Sequence, residues 1–143
     1  MNNIDIACIT ATRLNKDFVP CHIVNYATYR HDRSDGHGGG SVLCFVRSNL
    51  PCIQLSELES PSVKSLWLLF RTSHLPRTVS HTVVGIIYHP PNVTAEYSRN
   101  VISHIPDRLD RITSDHQYTT ICYSVTSTSL KTLVLIHSQR NKS

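Results

Sequence analysis

The run SLWLLFR at residues 65–71 is the most apolar stretch of the chain. Seven residues are too few for a buried helix and suit a central β-strand. Working outward, TVVGIIY at residues 82–88 is β-branched and apolar, and Pro90 and Pro91 stop it because proline cannot continue a hydrogen-bonded ladder. SVLCFVR at residues 41–47 predicts another strand, and a weaker one is expected near residues 53–58, bracketed by Pro51 and the acidic Glu57 and Glu59. A short strand is expected at residues 26–30. The nearly continuous apolar run IDIACIT at residues 4–10 predicts a strand buried on both faces. Residues 118–125 and 130–136 supply two more. Val101, Ile105, Leu109 and Ile112 recur at three- and four-residue spacing, which is one face of an amphipathic helix. Thr94 is placed to cap its start, while Pro106 predicts a kink or split near residues 103–105. Many strands and one main helix predict an α/β layered domain.

The chain's 143 residues suit one domain. Charged residues make up 17% and hydrophobic ones 40%, against roughly 25% charged in an average soluble domain, which argues against long disorder. A net charge of +4 permits an anionic partner without demanding one. No run reaches the roughly 18 apolar residues of a membrane span. Residues 1–5, MNNID, lack the basic start and apolar stretch of a signal peptide. The expectation is an intracellular protein, nuclear or cytoplasmic, with no membrane and no defined protein partner. The five cysteines, Cys8, Cys21, Cys44, Cys52 and Cys122, are odd in number and form no CxxC pair, so neither a disulfide framework nor a zinc site is readable. Cys8, Cys44 and Cys122 lie in apolar runs and read as small core hydrophobes.

Signals for chemistry are sparse. Four of the five glycines fall at residues 36–40, in the order Gly-His-Gly-Gly-Gly. A phosphate cradle and a plain hairpin connection are both open readings. The second is favoured because the stretch lacks GxxxxGK[ST] and leads into a strand. Arg30, Arg33 and Arg47 around it are candidates for phosphate contact, or simply a solvated basic rim. No GxSxG elbow singles out a serine nucleophile, and Ser114-Asp115-His116 sits where a polar turn after the helix is expected. Nine histidines show no HExxH spacing, and His31 and His37 in a glycine loop read as solvated.

The succession DIACITATRLN (5–15), YRHDRSDGHGGGSVLCFVRSNLP (29–51), SLWLLFR (65–71) and VVGIIYHPPN (83–92) resembles the endonuclease/exonuclease/phosphatase domain of non-LTR (LINE-type) retrotransposons. That family reads D-I-x-x-I-x-E-T-W-L-N, then R-x-D-R-x-x-x-x-G-G-G-V, then G-x-x-Y-R-P-P, followed by a helix and a G-D-F-N strand. The resemblance covers most of residues 4–113. It implies a four-layer, DNase I-like α/β sandwich, present here in part. It also implies Mg²⁺-dependent hydrolysis of phosphodiester bonds in DNA. The family's first strand would precede Met1 and its last strands would follow Ser143, so residues 1–143 are expected to be a single incomplete domain. A run such as residues 65–71 would then lack a partner face or leave an edge open.

Carried over residue by residue, the resemblance retains Tyr88 as the tyrosine of G-x-x-Y and the one active-site position that transfers. The metal-binding Glu falls at Ala11, and the Asp and Asn of G-D-F-N fall at Ser124 and Thr126. A hard divalent cation needs several oxygen ligands converging from strand ends. Between Ser60 and Pro106 the only acid is Glu96, and none follows Asp115. A site without carboxylates loses the electrostatic effect that usually dominates such catalysis. The expectation is a remnant of a Mg²⁺-dependent endonuclease that neither binds the ion nor cuts. Two alternatives stand beside it. One is a weak nuclease with Asp32 or Asp35 as substitute ligand; the other is a nucleic-acid-binding module using Arg30, Arg33, Arg47 and Arg71.

Overall fold

A computed structural model describes residues 5–12, 22–31, 41–71, 81–90, 94–115, 119–126 and 133–137; for 10–12, 115, 119–126 and 133–137 the description is of the backbone. Two sheets and one long helix form the architecture. The first sheet has the order β1-β3-β2, built from β1 (Ile6–Thr12), β2 (Tyr26–His31) and β3 (Ser41–Arg47), all antiparallel. The second has the order β4-β5-β6-β7-β8, with β4 (Cys52–Gln54), β5 (Lys64–Phe70), β6 (His81–Tyr88), β7 (Thr119–Thr126) and β8 (Leu133–His137). Within it only β6 and β7 run parallel, and α1 (Ala95–Asp115) makes the crossover between them. The expected α/β domain of many strands and one helix is what the chain forms.

β5 decides the layering because both of its faces are covered. Leu66, Leu68 and Phe70 meet Val42, Cys44 and Val46 of β3 and Ile86 and Tyr88 of β6 in the core between the sheets. Trp67 and Leu69 alternate onto the other face, where they pack with Val83, Ile87, Val101 and Ile112 under α1. The partner face expected to be missing is therefore present, and six consecutive β5 residues are buried. Gly85 lies directly opposite Trp67 in the β5–β6 register. An added Cβ there would come within 2.7 Å of three indole carbons, so glycine is what leaves room for the ring.

Several expectations are corrected. β1 is an edge strand, half-buried, with Ile9 45% exposed, rather than a strand covered on both faces. β3 takes that fully covered role, being flanked by two strands and buried from Ser41 to Val46. The weak strand near residues 53–58 is shorter. The Leu55 N–H still reaches the Trp67 carbonyl at 2.8 Å, and then a 3₁₀ turn (Ser56–Leu58) tucks Leu58 into the core. α1 runs through Pro106 without splitting. The carbonyl that loses its partner belongs to Ile102, on a face so exposed (70%) that water can satisfy it. The helix reaches Asp115, so Ser114 and Asp115 are its last residues and not a turn after it. The Thr94 hydroxyl does accept the Tyr97 N–H at 3.2 Å, as a capping residue should. β2 and β3 pair as consecutive antiparallel strands, as the hairpin reading requires; the glycines at 36–40 lie outside the described residues. Among the described residues no helix is long and apolar enough to cross a membrane.

Candidate functional site

The registers gather one set of strand ends. Tyr88 closes β6 opposite Lys64, which opens β5, and opposite Thr126, which closes β7. In the other sheet His31 closes β2 opposite Val42, and Thr12 of β1 faces Ser41. Ala11, Tyr88 and Thr126 thus belong to strand termini at the same end of the two sheets, with Ser124 two positions back, opposite Ile86. The side chains of Ala11, Ser124 and Thr126 lie outside the described ones, as does Arg33 altogether.

Tyr88 is 8% exposed, its ring set in the core between the sheets. The Lys64 ammonium stands 5.8 Å from the ring centroid, close enough for a cation–π attraction. Tyr97, from the first turn of α1, locks these strand ends together. Its hydroxyl accepts the Lys64 N–H at 3.1 Å and donates to the Tyr88 carbonyl at 2.9 Å. One residue on, the His89 Nε2 lies 3.0 Å from the Ser98 hydroxyl, and its ring tilts against Tyr97.

A second polar chain lies beside it. The Ser65 carbonyl can only accept, so the 2.7 Å contact makes His31 Nδ1 the donor and turns Nε2 toward Glu59, 3.9 Å from Oε2. Glu59 Oε1 accepts from the Gln54 amide at 2.7 Å, and the same amide reaches the Arg30 carbonyl at 3.3 Å. Burial pushes the Glu59 carboxyl upward, while Gln54 and His31 pull it back. His31, expected to be solvated, is therefore a strand-end residue with a fixed ring. These contacts join residues 5 to 34 positions apart, and no local spacing announces them.

A buried hydroxyl–imidazole pair lies deeper. Trp67 Nε1–H donates to Ser65 Oγ at 3.3 Å, leaving the Ser65 proton for His104 Nε2 at 3.2 Å. Burial first, and the Arg108 charge second, lower His104 to about 4, so the ring is neutral and can accept. Ser65 has no exposed surface, which makes this a packing contact and not a nucleophile with its base.

The arginines do not form one patch. Arg30 is near the Tyr88 end, opposite Leu43, whereas Arg47 is at the far end of β3, opposite Tyr26 and 3.0 Å from Asp5. Exposed Arg71 shares that far end, its N–H bound to the Pro51 carbonyl. Among the described residues, the Tyr88 end offers an ammonium, two imidazoles and a carboxyl, each with a neighbour. Among the described residues no three His, Cys, Asp or Glu side chains come together as metal ligands would.

No protein-family model and no curated protein matches the chain. Among solved structures it is similar to the endonuclease domain of TRAS1, a telomere-specific non-LTR retrotransposon, with a TM-score of 0.44 and 10% identity. The likeness covers 71% of this chain and 41% of that one, so the chain spans less than half of that domain's length.

Proposed function

We propose that the chain is a non-catalytic remnant of the endonuclease/exonuclease/phosphatase domain of non-LTR retrotransposons. The ordered motifs at residues 5–15, 29–51, 65–71 and 83–92 support the family reading, and two packed sheets with a helical crossover suit it. The observation that carries the loss of activity is the residue types at the converging strand ends: Ala11, Tyr88 with His89, and Ser124 with Thr126. None is a carboxylate, and Glu59, an acid near them, is bound to Gln54. Mg²⁺, the ion the family would use, has too few oxygen ligands to be held among these residues. DNA is the partner this reading implies, met through phosphate contacts from residues such as Arg30 and Lys64.

Nicking of supercoiled plasmid in millimolar Mg²⁺ or Mn²⁺ tests the reading. The expected result is no cutting above a metal-free control. Metal-dependent nicking that Tyr88→Phe abolishes would overturn it and would point to substitute ligands such as Asp32 or Asp35.

A further inference from the structure

Cys8 and Cys44 face each other across β1 and β3. A hydrogen bond further along the ladder fixes the kind of pair they form. The Arg47 N–H donates to the Asp5 carbonyl at 2.9 Å, and Ile6 stands opposite Val46, so Asp5 and Arg47 are a hydrogen-bonded pair. Alternation along an antiparallel ladder then makes Ile6–Val46 and Cys8–Cys44 non-hydrogen-bonded pairs, whose Cα atoms lie about 4.5 Å apart. A disulfide spans Cα separations of about 4.4–6.8 Å, and the separation of such a pair falls within that range. Both side chains point into the core between the sheets, with their sulfurs 2.9 Å apart. Closing to a bond of about 2.05 Å asks for less than about 1 Å of motion.

We propose that Cys8 and Cys44 are an oxidative modification site, forming a reversible cross-strand disulfide that fastens edge strand β1 to β3. The two thiols divide the work. Cys8 is half-buried on the edge strand, whereas Cys44 is fully buried. The hydrogen shared with Cys8, then burial, hold the Cys44 thiol well above the usual range, so Cys8 is the first of the two to react. With a peroxide as oxidant, the Cys8 thiolate attacks one oxygen, the O–O bond breaks, and a sulfenic acid and one water result. The Cys44 sulfur then gives up its proton, attacks the Cys8 sulfur and expels the second water. Two thiols are oxidised by two electrons and one peroxide is reduced to two waters. Cys52 is a bystander: burial pushes its thiol up to about 11.

The five cysteines fall in five different tryptic peptides, at residues 1–13, 17–30, 34–47, 48–64 and 112–131, so any linkage is unambiguous. The full chain is treated with stoichiometric hydrogen peroxide, alkylated and digested without reduction. The expected product links peptide 1–13 to peptide 34–47 and is lost on reduction. Because the bond closes a loop of 36 residues, it should raise the unfolding temperature on the order of 10 °C. In Cys44→Ser, Cys8 should instead accumulate as a sulfenic acid that a dione reagent traps. Alkylation of all five cysteines after peroxide, or linkage of Cys8 to Cys21 or Cys52 in place of Cys44, would overturn the proposal.

Discussion

Replacing Gly85 by alanine adds a single carbon at the most crowded point of the five-stranded sheet. The new Cβ would lie within 2.7 Å of three carbons of the Trp67 ring, where about 3.5–4.0 Å is a comfortable separation. The indole must therefore retreat by about 0.8 Å or more. It has nowhere to go: Trp67 has no exposed surface, is packed against Leu69, Val83 and Ile87, and is tethered through Nε1–H to Ser65. Overpacking of this kind costs about 1–3 kcal/mol, and a fully enclosed, tethered ring places it near the upper figure. A domain of total stability about 5–15 kcal/mol would feel that loss plainly. Trp67 is the single tryptophan, so its fluorescence in a urea titration reports the change directly. In a Trp67→Leu background, followed by circular dichroism, the added carbon should cost under about 1 kcal/mol, which gives a coupling of about 2 kcal/mol. A loss below about 0.5 kcal/mol, or equal losses in both backgrounds, would refute the packing described.

Three further outcomes are expected. His104 is held to about 4 against 6.5 for an ordinary histidine, so between those values the unfolded chain binds the extra proton and stability falls as pH falls. The loss should approach about 3 kcal/mol across that window and disappear in His104→Gln, as urea midpoints from pH 7 to pH 4 would record. Tyr97→Phe removes the hydroxyl that joins the Lys64 N–H to the Tyr88 carbonyl, and should cost about 1–3 kcal/mol in the same assay. Pro106→Ala restores an N–H on the exposed side of α1 and should raise stability by about 1–3 kcal/mol; an unchanged midpoint would contradict an interior position for that proline.

The layers were legible because burial writes itself into local order. Residues 41–47, 65–71 and 82–88 are apolar runs of strand length, and the spacing from Val101 to Ile112 is a helical face; each became the element it predicts. β1 misled because its apolar run resembles a covered strand, while its place at a sheet edge depends on β2 and β3 pairing with each other. Pro106 does not split α1, because water reaches the Ile102 carbonyl that it strands. The polar chains were illegible for another reason. His31 finds Ser65, Ser65 finds His104 and Cys8 finds Cys44 only after strands from distant parts of the sequence have paired. What could be read of the candidate site was its residue types: a tyrosine at position 88, and alanine, serine and threonine at positions 11, 124 and 126.

Thermal unfolding followed by circular dichroism, with and without millimolar Mg²⁺, addresses the central claim most directly. An ion that binds the folded state and not the unfolded one must raise the transition by mass action. A fold with Ala11, Tyr88 and Thr126 in place of carboxylates at these strand ends should unfold cooperatively at a temperature indifferent to Mg²⁺. A transition that climbs with Mg²⁺ concentration would contradict the account, because it would mean that a cation site survives.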